Sequence, residues 1–486
     1  MNTRATNQAM PGAVILWFRS DLRLTDNRAL HAAANAGKPI IPVFILDDSN
    51  VGRWPPGGAS CWWLHHSLAS LSDGIRALGG RLVLRRGDSC AELARLIEET
   101  QADELCFTRC YEPHASDLEE RVNDALSSRV AVRRFGGNLL FEPGQVTTKA
   151  GEPFRVFSPF WKACLREPDP GAPKAAPPSI DFSGHSLASD RVDDWSLLPD
   201  SPDWAGGLRD HWQPGEVGAN AALRAFTGKA VGAYHERRDR PDLRGTSRLS
   251  AHLHFGEISP RQVWHAVNSE LHFDSRLARG GEAWLREIGW REFSYHLLTH
   301  WPDLPEQPFR PEFSKFPWRS DQDALRRWQR GLTGYPLVDA GMRELWDTGW
   351  MHNRVRMIAA SFLVKHLMIP WQDGAAWFWD TLVDADLANN SAGWQWVAGS
   401  GADAAPFFRI FNPIVQGKKF DPDGAYVRRW VPELTGIPTK YLHEPWNASR
   451  DVLADAGIAI GRDYPEPIVE HSVARERALA AFRSMK

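Results

Sequence analysis

The first third of the chain alternates short, unbroken apolar runs with segments of helical period. Val14 to Phe18, Ile40 to Leu46, Arg81 to Leu84, Leu105 to Cys110 and Val130 to Val132 read as strands. Between them, Ala29 to Ala36, Trp62 to Leu78, Ala91 to Ile97 and Leu118 to Leu126 carry a helical pattern. A strand that is apolar at every position is buried on both faces, which happens where helices cover both sides of a parallel sheet. The pattern predicts an α/β domain with a doubly wound parallel sheet over residues 11–140. Such sheets bind ligands beyond the carboxyl ends of their strands. No G-x-G-x-x-G follows the first strand, so a dinucleotide site there has little support.

Residues 141–217 read as an interdomain connector, in which periodicity is lost from Glu167 onward. Glu167-Pro-Asp-Pro-Gly-Ala-Pro173 and Ala176-Pro-Pro178 predict an extended segment on the surface. From 218 to 486 the pattern is helical, predicting an all-α domain. Ser259-Pro260-Arg261-Gln262 has a serine cap, proline in the first turn and glutamine three residues after the cap. Tyr335-Pro336 opens a helix that ends at Gly349, and another runs from about His352 to Met368. There is no internal repeat.

Composition narrows the function classes. No apolar run approaches the roughly 18 residues that cross a bilayer, and the first one runs straight into Arg19 and Asp21. The expected location is the cytoplasm, and the five cysteines, none in a C-x-x-C pair, suit a reducing compartment. His65-His66 and His252-x-His254 lack partners at ligand spacing, so no metal is expected. A net charge of -3 does not announce a nucleic-acid binder, and any DNA site must be a local groove. The 23 tryptophans fit heavy core packing, stacking on a planar ligand, or electron relay, and composition does not choose among these.

Chemistry-bearing stretches cluster in the helical half. Gly245-Thr-Ser-Arg-Leu-Ser250 offers hydroxyls, backbone N–H groups and a cation, which suit phosphates or, equally, a plain helix cap. Asp384-Ala-Asp386 fails as a calcium loop because Asn389 stands where that loop needs glycine. Glu287 and Trp290 share one helical face, as do Asn353, Arg356 and Met357. A carboxyl there can bond a base edge and an indole can stack on a base; an exposed glutamate beside a core tryptophan is the plainer alternative. Gly399-Ser-Gly-Ala-Asp-Ala404 fits a dinucleotide expression but lacks the strand–turn–helix setting.

Four of these stretches, Gly245 to Ser250, Trp284-Leu-Arg-Glu-Ile-Gly-Trp-Arg-Glu-Phe293, Thr348-Gly-Trp-Met-His-Asn-Arg-Val-Arg-Met357 and Asp384-Ala-Asp-Leu-Ala-Asn-Asn-Ser-Ala-Gly-Trp-Gln-Trp396, resemble the FAD-binding half of the photolyase/cryptochrome family. Trp17-Phe-Arg-Ser-Asp-Leu-Arg-Leu-Thr-Asp-Asn27 extends the resemblance to nearly the whole chain, and the match is closest to class I cyclobutane pyrimidine dimer photolyases. The resemblance implies FAD held by Tyr234, Thr246, Ser247, Arg248, Leu249, Ser250, Trp284, Arg356, Asp384, Ala385, Asp386 and Asn390. It implies contact with dimer-containing DNA by Arg238, Glu287, Trp290, Arg291, Asn353, Arg354, Met357 and Trp396. It also implies electron relay through Trp318, Trp371 and Trp394.

Within the family Asn390 is placed beside the flavin N5, where a neutral amide favours the fully reduced flavin; plant cryptochromes carry aspartate there. The implied activity is repair of cyclobutane dimers by light-driven electron donation from reduced FAD, with Glu287, Asn353, Met357 and Asn390 at the reacting centre. The alternatives are a cryptochrome-type photoreceptor, disfavoured by Asn390 and by a chain ending soon after the family core, and a (6-4) photolyase. The latter carries a histidine acid where Asn353-Arg354 stands here. Single-strand-preferring relatives usually carry glutamine at the Met357 position. Glu112 resembles the glutamate of folate-binding relatives, which implies methenyltetrahydrofolate as a second, light-harvesting chromophore. A monomer is expected.

Overall fold

Five parallel strands in the order β3-β2-β1-β4-β5 build the first domain. They are β1 (Val14–Phe18), β2 (Ile40–Leu46), β3 (Val83–Arg86), β4 (Glu104–Thr108) and β5 (Ala131–Phe135). This is a computed structural model, and it describes residues 12–485, so the predicted domain start at residue 11 lies just outside the described residues. Alternate residues of β1 feed two cores. Val14, Leu16 and Phe18 meet Leu30, Trp62 and Leu68 on one face, and Ile15 and Trp17 meet Leu93, Leu118 and Val122 on the other. The helices supplying these residues are α1 (Arg28–Ala34) and α2 (Gly58–Ala77) on the first face, α3 (Ser89–Thr100) and α4 (Pro113–Leu126) on the second.

Strand β5 begins and ends later than its apolar residues predict. Its register carries Arg133 and Arg134 opposite Cys106 and Phe107. As the outer strand it needs backbone pairing on one side only, and exposed charge protects a free edge.

The proline-rich stretch 167–178 is without helix or strand and runs along the surface as predicted, but the connector further on is partly buried. Trp195 and Leu208 are 4% and 1% exposed and join the first-face core together with Ala251, Phe255 and Val383 of the helical domain. Ile40 N–H donates to Asp181 O at 2.7 Å. Proline had signalled only the absence of helix, while these apolar side chains bind the segment down. Residues 141–217 also contain a helix, Phe157–Cys164, which packs on the long Ala278–His300 helix. Gly289 permits that contact: a Cβ there would stand 2.5 Å from Trp161.

In the helical half, the Pro260–Phe273 helix opens with the full reciprocal capping box between Ser259 and Gln262. The Pro336–Thr348 helix stops at Gly349, whose φ of 65° is left-handed. The segment predicted as one helix from His352 to Met368 is α-helical over Asn353–Ser361 and π-helical over Phe362–Leu367. Gly399, with φ 88°, ends the Leu387–Ala398 helix rather than opening one.

Candidate cofactor and DNA site

The loop Gly245–Leu249 carries a half-buried cation. Arg248 adopts a left-handed φ of 54°, uncommon for a side chain of this size. Its guanidinium carbon lies 4.8 Å from the centre of the Trp212 ring and 4.5 Å from that of Trp350. Its Nε is buried without a hydrogen-bond partner, and burial pulls its pKa below the ordinary guanidinium value. The charge remains, held by aromatic faces; Glu344 and Asp384 act on it only from a distance, and among the described residues neither forms an ion pair with it. Thr246 and Ser247 are half-buried beside it, and Ser250 is exposed. Leu249 is 2% exposed and packs in the core, so only its backbone faces the loop. Tyr234 and Trp284 belong to the same cluster, against Phe226.

A second charged pair lies between the Asn353–Ser361 and Leu387–Ala398 helices. Arg356 Nη2 donates to Asp384 Oδ2 at 2.8 Å, and its Nε to Met351 O at 2.7 Å. The other carboxylate oxygen, Asp384 Oδ1, is buried and unpartnered. Ala385 is core. Asp386, expected beside Asp384 at the cofactor, has both side-chain oxygens bonded within the fold. One oxygen caps the Leu387–Ala398 helix at Asn389, and the other accepts from Tyr295 Oη at 2.5 Å. Burial alone would raise its pKa, but His254 at 3.7 Å, Arg291 and Tyr295 hold it down at about 2. Two carboxylates two residues apart thus have different tasks. Asn390 is half-buried, and its amide donates to Ala375 O at 3.1 Å.

The predicted DNA face is already paired with itself. Glu287 forms an ion pair with Arg238, and Arg238 also lies over the Tyr234 ring at 5.4 Å. Burial pushes the Glu287 carboxyl above its usual value even with Arg238 beside it. Arg354 Nη2 sits 2.8 Å from Asp239 and over the Phe420 ring at 4.6 Å. Asn353 is exposed, with its amide nitrogen 4.0 Å from Met357 Sδ, and Trp396 is half-buried. Trp290 is half-buried and stacks on Phe157 with ring centres 3.7 Å apart, so one indole face is occupied.

Arg291 lies deeper than the other residues expected at the DNA face. Its side chain is 10% exposed and donates to Asn138 O at 2.8 Å, with the Tyr295 ring 4.9 Å away. It ties the long helix to the first domain and pairs with Glu292 at 3.6 Å. Its place on the same face as Glu287 concealed this, because nothing local marks where one helix passes from rim to interior.

Trp371 and Trp394 are each 2% exposed in the largest helical core, and Trp318 packs at its edge, half-buried. The contacts of Trp394 are with Trp328 and Phe378, at 6.2 and 4.9 Å between ring centres. Glu112 caps α4 just beyond the carboxyl end of β4, next to the point where the strand order reverses between β1 and β4. A cavity of about 850 Å³ opens along α2 and the connector; Trp212 and His66 help to line it, but none of the residues expected to hold the cofactor or meet DNA does. Size alone does not make it the site, since the orphaned charges lie around Arg248 and Asp384.

Trp212 and Trp350 escaped the sequence reading. Trp350 sits inside the Thr348 to Met357 motif, which flagged its neighbours. Trp212 stands in aperiodic sequence and carries no local signal at all. Among the described residues there is no cluster of His, Cys, Asp or Glu that could hold a metal, and no helix long and apolar enough to cross a membrane. A half-buried arginine without an ion-pair partner, a half-partnered buried carboxylate and a neutral amide fit FAD: a pyrophosphate at Arg248 and ring polar groups toward Asp384 and Asn390.

A two-domain chain of this kind, α/β sheet first and helical cofactor domain second, has known counterparts. Residues 14–179 match the DNA photolyase family model, and residues 284–484 match the FAD binding domain of DNA photolyase. The chain belongs to the photolyase/cryptochrome family. It is 52% identical to the deoxyribodipyrimidine photo-lyase of Agrobacterium fabrum over 476 residues, 97% of this chain and 98% of that one. It is 42% identical to Cryptochrome-1 of Arabidopsis thaliana over 484 residues, 98% of this chain and 70% of the other. The crystal structure of a bacterial class III photolyase from Agrobacterium tumefaciens superposes with a TM-score of 0.94 at 50% identity, covering 99% of both chains. That relative is class III, so the class I placement suggested by the motifs is not carried further.

Proposed function

We infer that this chain is a light-driven DNA repair enzyme that splits cyclobutane pyrimidine dimers. The observation that carries this reading is the Asn353–Ser361 helix. Asn353 is exposed at its start, while Arg356, one turn on, grips Asp384 in the interior. A single rigid turn thereby joins a base-reading rim to the cofactor site. The chemistry that reduced FAD supplies once bound is donation of one electron to the dimer under light, recovered after the ring opens. The protein's part is to hold and exclude. Arg248 and the Thr246–Ser247 hydroxyls bind the phosphates, and the Asp384–Arg356 pair and Asn390 orient the ring without adding a net charge. Glu287, Asn353, Met357 and Trp396 receive the flipped-out bases, with Arg238 and Arg354 beside the strand. Trp394, Trp371 and Trp318 carry electrons inward to keep the cofactor reduced.

His352 disfavours (6-4) repair, which needs an acid at the lesion. It is 2% exposed, accepts from Arg354 N–H, and burial pulls its pKa down to about 4. A photoreceptor role is the second reading, favoured by the identity to a plant cryptochrome; Asn390 in place of a carboxylate favours repair. For a second chromophore, Glu112 at the carboxyl end of the sheet supports a folate. The test is to illuminate the reduced protein with dimer-containing DNA and to keep a dark control. Dimers are expected to disappear in the light alone, and persistence in both arms would remove the repair reading.

A further inference from the structure

We propose that Trp212, a residue of the irregular connector, is a positioning residue for the phosphate-binding end of the cofactor site, seating Arg248 so that its free edge meets an anion. This rests on the reading of the loop as the FAD phosphate site. Arginine is a long side chain with much rotamer entropy to lose, so a poised guanidinium needs something to hold it. Hydrogen bonds do not: among the described residues no hydrogen bond or ion pair to the Arg248 side chain is found, and its Nε is orphaned in the interior. Two indole rings remain, within 5 Å on the distances above.

The two rings are fixed from one place. Trp212 Nε1–H donates to Thr348 O at 2.7 Å, and Trp350 follows two residues later, beyond the left-handed Gly349. Thr348 is held in turn, donating its hydroxyl to Glu344 O at 2.8 Å. Trp212 is braced from behind by Trp63 of α2, edge-on at 5.2 Å, and Trp63 donates to the buried Glu257 at 2.9 Å. A run of packed rings therefore leads from the first domain to the cation. Aromatic faces suit this task because they attract a cation without neutralising it. A carboxylate in the same position would compete with the phosphate, whereas an indole leaves the charge for the ligand.

The experiment measures flavin release from the holoenzyme by fluorescence, with FAD and, after reconstitution, with riboflavin, which lacks phosphate. Trp212→Leu is expected to speed FAD release between about threefold and thirtyfold, the range of a desolvated cation–aromatic contact. Riboflavin binding should change less than about twofold, and Trp212→Phe should restore most of the loss. If Trp212→Leu does not fold, the equilibrium affinity of Trp212→Phe for added FAD is titrated in wild-type and Arg248→Met backgrounds, at FAD concentrations high enough to load the weakened variant. The small effect should vanish in the second, where no cation remains. Equal weakening of FAD and riboflavin, unchanged FAD release, or an effect that persists without Arg248 would each overturn the proposal. Wild-type protein that takes up no flavin would instead remove the functional reading beneath it.

Discussion

Inside the candidate cofactor site Arg248 has two indoles and, among the described residues, no ion pair, whereas at the rim Arg238 is already bound to Glu287 and Arg354 to Asp239. Both regions use arginine, yet their energetics are opposed. An interior cation without a partner carries a desolvation cost that a permanent ligand then offsets. A self-paired rim is nearly neutral until a substrate displaces one charge from another. The contrast separates a resident cofactor from a visiting partner, and it explains how a chain of net charge -3 can still meet DNA. Non-specific attraction is kept low, and specific contact must exchange one pairing for a better one.

Breaking the interior half of this contrast should have the largest effect. Arg248→Met removes the cation while keeping length and apolar packing. Loss of two charge-assisted hydrogen bonds corresponds to about 3–6 kcal/mol of FAD binding. The variant should leave gel filtration essentially without flavin, and retention of a full complement would mean that Arg248 does not face the phosphates.

The interior also contains a carboxylate that sharpens the rule. Asp386, amply bonded, stays near pKa 2, while Glu292, 2% exposed, is pushed up to about 7 by burial. Glu292 accepts N–H bonds from Leu140 and Phe141 on one oxygen; the other has no hydrogen-bond partner and faces Arg291 Nη1 at 3.6 Å, which offsets only part of the burial. Its folded pKa lies above the unfolded value near 4.5, so the folded state holds a proton that the unfolded state has lost. Stability therefore falls as pH rises from about 4.5 to about 7, by up to about 3 kcal/mol. Glu292→Gln keeps an acceptor for both N–H groups and carries no proton to lose, so its unfolding midpoint should be flatter across that window. An identical slope in the variant would assign the pH dependence to other groups.

Much of this arrangement was legible in the chain, and the limits have physical causes. Unbroken apolar runs identified β1 and β2 because a central strand must be buried on both faces, and the Ser259 cap was readable because it is local chemistry. The edge strand was misjudged, since its Arg133 and Arg134 answer to solvent rather than to a core. Motif positions brought Arg356 and Asp384 together, as the structure has them. Motifs could not say which of Asp384 and Asp386 keeps a free oxygen, because that depends on Tyr295 and His254 from other helices. Trp212 was invisible for the same reason: its partners Arg248, Thr348 and Trp63 lie far away along the chain.

The rim half of the contrast is tested by Glu287→Ala, with a smaller effect of mixed sign. On dimer-containing DNA the variant loses a hydrogen-bond acceptor for the damaged base, about 1–3 kcal/mol of specific binding. On undamaged DNA it should gain, because Arg238 loses its closest anion and becomes available to a phosphate. The gain should carry its own signature, a salt dependence steeper by about one unit of log–log slope for one added phosphate contact. Titrations of damaged and undamaged duplexes at several salt concentrations read both effects at once. Weaker binding to both duplexes with an unchanged slope would mean that Glu287 orders the rim as a whole rather than holding Arg238 in reserve, and the distinction between poised interior and paired rim would then fail at its outer edge.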